Sequence, residues 1–342
     1  MKQATKMSRA VSQLEHIYNT LNWDFFDGAL PLPIITVQSK PGTYGHCSVA
    51  KVWKRSEENT YECIKIVVAS DVNYFPQLMV FTHSLREHTT GPIELTLLCY
   101  GLPTKLKRRF LRFTKKIHIA VHICEVNGEK TEGFKLMEHL TQTTYSRFEI
   151  PNLFAGGRVL WLDIDTVVLK DLRPFYEQEL NGALVAAAPG NNVAKHLSRL
   201  GLNGGCTYFN AGVVLYDLDR IREAYPNPDH LYEIYREREE RIWLLDQDVL
   251  NLAYAHRVKP DTDRVYNRMV VFTQPLTLDE MRELEQEAAL VHYIRAVKPW
   301  NPGYPGAAAA IYRRAMAKVF PVRTAMLIVQ EFIRKITGKE GT

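Results

Sequence analysis

The stretch VLWLDID at residues 159–165 decides the fold, because it runs through four apolar residues and ends in two carboxylates one residue apart. Four consecutive apolar residues before an acid indicate a strand buried on both faces, which in an α/β protein is a central parallel strand. Side chains at i and i+2 of an extended chain point to the same side, so Asp163 and Asp165 converge while Ile164 faces back into the protein. At the carboxyl end of a strand, such a pair can hold a divalent cation against a phosphate. Taken alone, D-x-D also fits aspartates that only cap the following turn.

Length and composition are those of an ordinary globular protein. The chain has 342 residues, of which 46% are hydrophobic and 24% charged, and this length predicts about two domains. It contains no uncharged apolar stretch of about 18 residues, and its start leads into a polar segment without a signal-peptide core, so we expect a cytoplasmic protein. The five cysteines are widely spaced without a C-x-x-C motif, which indicates buried thiols rather than disulfides or a zinc site. A net charge of +5 tolerates acidic ligands and does not by itself indicate a nucleic-acid partner.

From residue 63 onward, short apolar runs alternate with longer amphipathic segments. This alternation predicts βαβ units and an α/β fold with a mostly parallel central sheet flanked by helices. We expect strands at residues 64–69, 93–100, 117–124, 159–162 and 183–188.

The first predicted strand ends in ASDVNY at residues 69–74, which places an acid, an amide and an aromatic ring at a carboxyl strand end. Asp71 and Asn73 can hydrogen-bond to hydroxyls and to the edge of a heterocycle, and Tyr74 offers a face for stacking. This set suits a ribose and a base. The alternative is an Asx turn that caps the next helix.

Three later segments carry polar groups where a ligand would need them. In YFNAGVVL, residues 208–215, the small residues after Asn210 let a ligand approach the backbone closely, or else mark a bulged strand. LDQDVLN, residues 245–251, opens a helix with polar groups for a sugar or phosphate, although an aspartate there is also an ordinary N-cap. In HYIRAVKPW, residues 292–300, a neutral imidazole can complete a metal site and Lys298 can neutralise a phosphate. A lone histidine is otherwise a structural residue with hydrogen-bond partners.

These segments follow one another in the order typical of family 8 of the glycosyltransferases, which the chain resembles from about residue 63 to residue 300. The resemblance depends on ASDVNY at 69–74, YSR at 145–147, LDID at 162–165, FNAG at 209–212, DQD at 246–248, and His292 with KPW at 298–300. It implies a GT-A fold, which is Rossmann-like, over residues 63–305. It also implies a retaining enzyme that uses a nucleotide-sugar, UDP-glucose or UDP-galactose, with Mn²⁺ or alternatively Mg²⁺.

The resemblance also assigns roles to residues of this chain. It implies that the metal is bound by Asp163, Asp165 and His292. It implies that the nucleotide-sugar is bound by Ala69, Ser70, Asp71, Asn73, Tyr74, Arg147, Ile164, Asn210 and Ala211. The implied catalytic residues are Asp246 and Gln247 at the donor sugar and Lys298, which binds the departing diphosphate.

The charge that develops during transfer suits these residues. Breaking the anomeric C–O bond leaves positive charge on the sugar and extra negative charge on UDP, where a divalent cation and Lys298 can act. In retaining transfer the new bond forms on the face that UDP leaves. Because an amide is a poor nucleophile, we favour front-face attack in which Gln247 stabilises the developing charge. We expect a saccharide or a lipid-linked acceptor.

Two features depart from the family pattern. A glycine usually stands three residues after the histidine, where backbone approaches phosphate, and Arg295 stands there instead, either to contact the phosphate or to crowd the site. The segment AAAPG at 186–190 lacks the acid that some members use against the sugar or acceptor. A catalytically inactive protein that binds nucleotide-sugars is therefore the alternative function.

The N-terminal part resembles a different family. FFDG at 25–28, LP at 30–31 and YGHCS at 44–48 are similar to the opening of SprT-like zinc metallopeptidase domains. Such a domain needs H-E-x-x-H, and the chain lacks it, since His83 and His88 have the wrong spacing. We interpret residues 1–60 as a small α+β SprT-like remnant without peptidase activity, which leaves an SprT-derived binding protein as a further alternative. A nucleic-acid partner is not expected.

The C-terminal stretch, residues 306–342, alternates apolar and basic residues, and Pro321 predicts its division into two helices. A basic amphipathic tail can lie on the anionic inner face of a membrane and bring the enzyme to a lipid-linked acceptor. A helix packed on the domain with solvated basic side chains is the alternative.

Overall fold

A computed structural model of the protein describes residues 61–137, 142–202, 204–304 and 307–337, with side chains described up to residue 330. The predicted SprT-like segment, residues 1–60, lies outside the described residues and stays a prediction. So does the role proposed for it.

The described strands form two sheets. They are β1 (Ile64–Ser70), β2 (Ile93–Cys99), β3 (Ala120–Glu125), β4 (Arg158–Leu162), β5 (Thr166–Val168), β6 (Val185–Pro189), β7 (Phe209–Asp217), β8 (Val258–Pro260), β9 (Arg268–Val270) and β10 (Leu290–Tyr293). Seven of them form the central sheet in the order β3-β2-β1-β4-β7-β6-β8, and a small sheet has the order β5-β10-β9. Strands β3, β2, β1 and β4 are parallel neighbours. The predicted α/β fold is confirmed.

Helices cover both faces of the central sheet. They are α1 (Phe75–His88), α2 (Thr104–Lys116), α3 (Ile150–Leu153), α4 (Arg173–Glu177), α5 (Val193–Leu200), α6 (Leu218–Ala224), α7 (His230–Arg238), α8 (Leu245–Tyr254), α9 (Leu278–Glu287), α10 (Ala308–Val319) and α11 (Pro321–Thr337). In β1, Ile66 and Val68 pack into the cluster that contains α1 and α2, whereas Val67 faces the cluster of α7 and α8. Burial on both faces explains why the strands are continuous apolar runs.

The buried strand before the two aspartates is β4, as predicted. It is parallel to β1 on one side but antiparallel to β7 on the other, with Leu160 opposite Leu215. The predicted central parallel strand is therefore parallel to its neighbour on the β1 side only. An apolar run reports burial on both faces and carries no information on the direction of the neighbouring strand.

The third strand begins later than predicted. We expected it at residues 117–124, and β3 spans Ala120–Glu125. Helix α2 ends at Lys116, the backbone N–H of Ile117 still donates to the carbonyl of Phe113, and His118 has a left-handed φ of 57°. The apolar residue at 117 therefore closes the helix rather than opening the strand.

The small sheet brings the histidine to the aspartates. Strand β5 starts directly after Asp165, and β10 pairs with it in antiparallel register, so that His292 lies opposite Thr166. The backbone N–H of Tyr293 donates to the carbonyl of Asp165 at 3.0 Å. A pairing between strands far apart in sequence thus sets the position of His292.

The C-terminal stretch forms two helices divided at Pro321, as predicted. Helix α10 packs into the cluster of β10 and the start of β5, with Ile311 and Tyr312 buried. In α11, Thr324 and Leu327 are buried, whereas an apolar set stays exposed: Val322, Met326, Ile328 and Val329. Within the described residues, we find no helix with both the length and the apolar character needed to cross a membrane.

The four described cysteines have free thiols, as expected. Cys99 is buried, Cys124 and Cys206 are half-buried, and Cys63 is exposed just before β1. The expectation of burial is therefore wrong for Cys63, because the first strand starts one residue after it.

A buried histidine makes the stability of the fold depend on pH. His230, at the start of α7, is 4% exposed, with Nδ1 3.0 Å from the carbonyl oxygen of Asn227 and Nε2 2.6 Å from the hydroxyl of Tyr254. A carbonyl only accepts, so Nδ1–H donates to it and Nε2 accepts from the tyrosine. Burial lowers the pKa of His230 to about 4, although the bond to Asn227 and the charge of Asp229 oppose the shift.

We predict that the free energy of unfolding decreases by roughly 2–3 kcal/mol as the pH falls from 7 to about 4, with His230 as the source. The unfolded chain binds this proton near pH 6.5 and the folded chain only near pH 4, so acid favours the unfolded state between these values. Urea unfolding at both pH values measures the decrease. His230→Gln keeps a hydrogen-bond donor and an acceptor but does not titrate, so this variant should lose much less stability between the two pH values. An equal decrease in the variant would show that His230 is not the source of the pH dependence.

Candidate active site

A cleft of about 260 Å³ opens at the carboxyl ends of β1 and β4. It lies against the turn after β1, the aspartates after β4 and the loop after β10. The predicted site residues that line it are Ala69, Ser70, Asp71, Tyr74, Arg147, Asp163, Ile164, Asp165, Asn210, His292 and Lys298. Its remaining lining residues are Thr143, Thr144, Trp161, Ile294 and Arg295.

Four predicted residues are not among the described residues that line the cleft. Asn73 is exposed on the turn after β1. Ala211 and Gln247 are hydrogen-bonded to each other beside Asn210, and Asp246 is buried at 5% exposure. The last three therefore belong to the layer that supports the lining residues.

The turn after β1 is the Asx turn that we considered as an alternative. Oδ1 of Asp71 accepts from the backbone N–H groups of Asn73 at 2.9 Å and Tyr74 at 3.1 Å. Asp71 also lines the cleft, so the turn and a ligand contact are compatible. The ring of Tyr74 packs edge-on against Trp300, with centroids 6.0 Å apart.

The three predicted metal ligands converge. One ligand atom each from Asp163, Asp165 and His292 lies within 4.8 Å of the other two. Nε2 of His292 is 3.8 Å from Oδ2 of Asp163 and 3.3 Å from Oδ1 of Asp165. Carboxylate and imidazole donors at these separations can hold a single divalent cation.

Each aspartate uses its other oxygen to hold its orientation. Oδ1 of Asp163 accepts from the indole N–H of Trp161 at 2.8 Å and from Arg147 at 2.9 Å. Oδ2 of Asp165 accepts from Nζ of Lys298 at 2.6 Å. Burial alone would raise the pKa of Asp165, but the charge of Lys298 and its hydrogen bond hold that pKa well below its ordinary value. Asp165 is therefore ionised and ready to bind a cation.

Backbone donors fix which nitrogen of the histidine faces the aspartates. The N–H of Gly212 donates to Asn210 at 3.0 Å, which identifies the accepting atom as Oδ1. Oδ1 of Asn210 also accepts a hydrogen bond from Asn267 at 2.8 Å, and the donor of this bond is Nδ2 of Asn267. The other amide atom of Asn267, Oδ1, therefore accepts from Nδ1 of His292 at 3.0 Å. In the neutral imidazole, Nε2 therefore carries its lone pair toward Asp165.

The donor set fits a divalent metal. Oδ1 of Asp165 is buried without a hydrogen bond from any described residue, and it faces the lone pair of His292 Nε2 across 3.3 Å. Two facing lone pairs repel each other unless a cation lies beside both. Carboxylates suit Mg²⁺, Ca²⁺ and Mn²⁺, whereas imidazole suits transition metals, so the mixed set fits Mn²⁺ better than Ca²⁺.

Gly212 makes room for the metal ligands. A Cβ at this position would lie 2.1 Å from Cε1 of His292 and 2.9 Å from Oδ2 of Asp163. We expected small residues here to let a ligand approach the backbone. The glycine admits the side chains of His292 and Asp163, and the close approach of a ligand stays a prediction.

Arg147 joins the metal cluster to helix α8. Its guanidinium is buried and lies 2.9 Å from Oδ1 of Asp163 and 2.9 Å from Oδ2 of Asp246. Burial would lower the pKa of Arg147, but the two carboxylates raise it above its ordinary value. Asp246 also accepts from the hydroxyl of Thr144 at 2.6 Å, and no side chain caps the start of α8. The N-cap interpretation of Asp246 is therefore wrong.

The side chain of Gln247 is hydrogen-bonded through both its oxygen and its nitrogen. Its Oε1 accepts from Nδ2 of Asn210 at 3.0 Å and from the N–H of Ala211 at 3.2 Å. Its Nε2 donates to the hydroxyl of Tyr208 at 2.9 Å, and that hydroxyl donates to Asp248 at 2.7 Å. A hydrogen-bonded series thus runs from the metal ligand, through two asparagines, to Gln247.

Sequence reasoning missed Asn267 and Trp161 as parts of the site. Asn267 precedes β9, a strand of three residues that pairs with β10 beside His292. So short a strand has no recognisable periodicity. Trp161 has the one usable signal, since it lies two residues before Asp163 and therefore shares its face.

We predict that Gly212→Ala lowers the affinity for Mn²⁺ at least about 10-fold, because the added methyl group displaces His292 from the aspartates. Titration calorimetry measures the affinity. Gly204→Ala is the matched control, since its Cβ would meet no atom within 4 Å. Equal affinity in all three proteins would show that the metal does not use this arrangement.

Comparison with known proteins identifies the family. The family model for glycosyl transferase family 8 matches residues 65–302. General stress protein A of Bacillus subtilis (strain 168) is 25% identical over 252 residues, which cover 70% of this chain and 88% of that protein. The lipopolysaccharide 1,3-galactosyltransferase of Salmonella typhimurium (strain LT2) is 29% identical over 208 residues, which cover 57% of this chain and 60% of the relative.

A solved structure shows the same fold. The crystal structure of the galactosyltransferase LgtC, in complex with donor and acceptor sugar analogues, matches with a TM-score of 0.64 and 23% identity, covering 75% of this chain and 96% of that one. The central sheet and flanking helices therefore form the GT-A fold. Because the family match spans more than half of its length, the chain belongs to glycosyltransferase family 8 and is a glycosyltransferase.

Proposed function

We propose that the protein is a retaining hexosyltransferase that moves glucose or galactose from a UDP-sugar to a saccharide or lipid-linked acceptor, with Mn²⁺ as its metal. The observation that carries the proposal is the convergence of Asp163, Asp165 and His292 in the same cleft as the turn after β1. A metal site suits a diphosphate, and the turn beside it suits a nucleoside. The cleft therefore offers contacts to both parts of a nucleoside diphosphate.

The nucleoside end of the cleft supports a uridine. Asp71 and Tyr74 line it with Ala69 and Ser70 at the carboxyl end of β1, and Ile164 lies beside them. In this proposal Asp71 accepts from ribose or base while its Asx turn keeps it in place. Asn73, exposed on the same turn, would reach the nucleotide only at the cleft rim.

The metal end supports a diphosphate. Mn²⁺, or Mg²⁺ as the alternative, would be held by Asp163, Asp165 and His292 and would stabilise the negative charge that develops on the leaving UDP. Nζ of Lys298 lies 2.6 Å from Asp165 and 2.6 Å from the carbonyl of Tyr293, and the residue is 7% exposed. We assign Lys298 to the departing diphosphate because this cation is fixed beside the metal ligands.

The hydrogen bonding of Gln247 supports front-face attack. Oε1 of Gln247 accepts two hydrogen bonds, so both of its lone pairs are engaged. Asp246 is likewise occupied by Arg147 and Thr144. Neither side chain offers a free nucleophile, which favours a role in positioning the donor sugar and stabilising its charge over a covalent intermediate.

The acceptor proposal draws on a relative. The name of the Salmonella protein assigns it a transfer of galactose within lipopolysaccharide, a lipid-linked saccharide. We propose an acceptor of the same broad class. The proposed donor sugar, glucose or galactose, follows from the resemblance to family 8, and the segment AAAPG at 186–190 carries no acid that would narrow this choice.

The exposed face of α11 supports contact with a membrane surface. Val322, Met326, Ile328 and Val329 are each more than half exposed, and Arg323 lies among them. Apolar side chains flanked by a cation suit the anionic inner face of a membrane. We propose that α11 makes this peripheral contact and that the protein acts in the cytoplasm.

We predict slow release of UDP from UDP-glucose or UDP-galactose that requires Mn²⁺, and a loss of at least about 100-fold in Asp163→Ala, because metal stabilisation contributes several kcal/mol to the transition state. A coupled assay for UDP across a panel of UDP-sugars measures the rate. Asp279→Ala, on the exposed side of α9, is the matched control and should keep the native rate.

Two other outcomes have defined meanings. Binding of UDP with Mn²⁺ but no release from any UDP-sugar would favour the inactive binding protein. Release that persists without metal and in Asp163→Ala would contradict the metal-dependent mechanism.

We predict that the protein sediments with vesicles that contain phosphatidylglycerol and not with vesicles of phosphatidylcholine alone. Val322→Asp with Met326→Asp should weaken this binding at least about 10-fold, since both apolar side chains would lose their burial in the lipid. Leu278→Asp is the control, because Leu278 is equally exposed at 63% but lies on α9. Equal sedimentation of all variants would contradict the proposed contact.

A further inference from the structure

Arg295 has a backbone conformation that favours glycine. Its φ is +73°, in the left-handed region, where the Cβ of an L-residue approaches the carbonyl oxygen closely. In the described part of the chain, five other non-glycine residues have positive φ, and none of them lines the cleft. The cleft of this chain therefore contains a residue with an unfavourable backbone conformation.

The neighbouring backbone holds Arg295 in this conformation. The N–H of Ile294 donates to the carbonyl of Val270 at 3.1 Å, which continues the small sheet past β10. On the C-terminal side of Arg295, the backbone carbonyl of Lys298 accepts from the N–H of Asn301 at 2.9 Å. The ammonium group of Lys298 donates to Asp165. Strained residues persist where the surroundings determine their geometry, and they concentrate at functional sites.

The charge of Arg295 is available to a ligand. The residue is exposed and lines the cleft, and its guanidinium makes no hydrogen bond or ion pair with any described residue. The other two permanent cations of the lining are engaged, Arg147 by Asp163 and Asp246, and Lys298 by Asp165. Arg295 is therefore the lining cation whose charge the described protein does not already neutralise.

The position of Arg295 along the chain indicates which ligand group it meets. It stands three residues after the metal ligand His292 and three before Lys298. A planar guanidinium fork matches the paired oxygens of a phosphate, whereas a neutral sugar offers no charge to it. The group expected between a metal ligand and a phosphate-binding lysine is the diphosphate itself.

We propose that Arg295 is a second cationic contact to the diphosphate of the donor and that the chain retains it at this position despite the local backbone strain. The inference rests on the proposed function, because it requires that the cleft binds a nucleoside diphosphate. It predicts that removing the side chain makes the fold more stable and the binding of UDP weaker.

The test uses Arg295→Gly and measures the affinities for UDP and uridine by calorimetry with Mn²⁺, together with the thermal midpoint. We expect UDP to bind about 10-fold more weakly, as for the loss of a charged hydrogen bond, and the affinity for uridine to stay unchanged. Relief of the left-handed strain should raise the midpoint by about 1–3 °C. Arg295→Lys keeps the charge without the fork and should lie between the native protein and the glycine variant.

Two control variants separate strain from charge. Arg264 also has a left-handed φ, of 55°, but donates to the carbonyl of Gly190 and does not line the cleft, so Arg264→Gly relieves backbone strain and removes one hydrogen bond and one charge away from the cleft. Arg282→Gln removes one positive charge from the exposed side of α9. Both should bind UDP with native affinity.

The outcomes separate this inference from the proposed function. If the native protein binds UDP with Mn²⁺ and Arg295→Gly binds it equally well, the inference is wrong and the proposed function stands. An equal loss for UDP and uridine would also overturn it, since the effect would not depend on phosphate. If the native protein shows no metal-dependent binding of UDP, both the proposed function and the inference fail.

Discussion

The site depends on one buried cation, the guanidinium of Arg147. It is 4% exposed, pairs with Asp163 of the metal cluster and Asp246 of α8, and lies over the ring of Trp161 with Cζ 4.4 Å from the centroid. Removing one partner of a buried ion pair costs about 3–5 kcal/mol, because the remaining charge stays desolvated. Arg147 therefore fixes the distance between the element that carries the metal ligands and the helix that carries Gln247. Each carboxylate in turn keeps Arg147 protonated inside the protein.

A second set of contacts continues from this pair to the metal ligands. The backbone N–H of Gly212 sets the orientation of Asn210, which sets that of Asn267, which fixes the tautomer of His292. Gln247 joins the same set through Asn210. Outer-shell hydrogen bonds of this kind orient metal ligands and tune their basicity. His292 and Gln247 are thus parts of one hydrogen-bonded network that runs through Asn267 and Asn210.

The residues around the cleft differ from those of the core in how well they follow local conformational preference. The core strands follow local preference, with apolar residues on both faces of β1 and β4. Around the cleft the chain instead carries a left-handed arginine, a buried carboxylate oxygen of Asp165 without a hydrogen bond from any described residue, and a glycine whose Cβ position is occupied by the side chains of His292 and Asp163. Such exceptions to local preference are typical of functional sites, since the groups that bind a ligand are incompletely satisfied without it. They are the features that separate this cleft from an ordinary sheet edge.

The sequence by itself determined four strands of the central sheet (β1, β2, β4 and β6), the convergence of Asp163 and Asp165, and the turn at Asp71, because burial on two faces, the two-residue repeat of a strand and an Asx turn are all local properties. The order of motifs also determined the family. Only the tertiary structure decided that β7 is antiparallel to β4, that Asn267 holds His292, that Gly212 makes room for His292 and Asp163, and that both lone pairs of the Gln247 oxygen are engaged. These facts depend on contacts between residues far apart in the chain. Local periodicity records which face of an element is buried, but not which distant side chain lies against it.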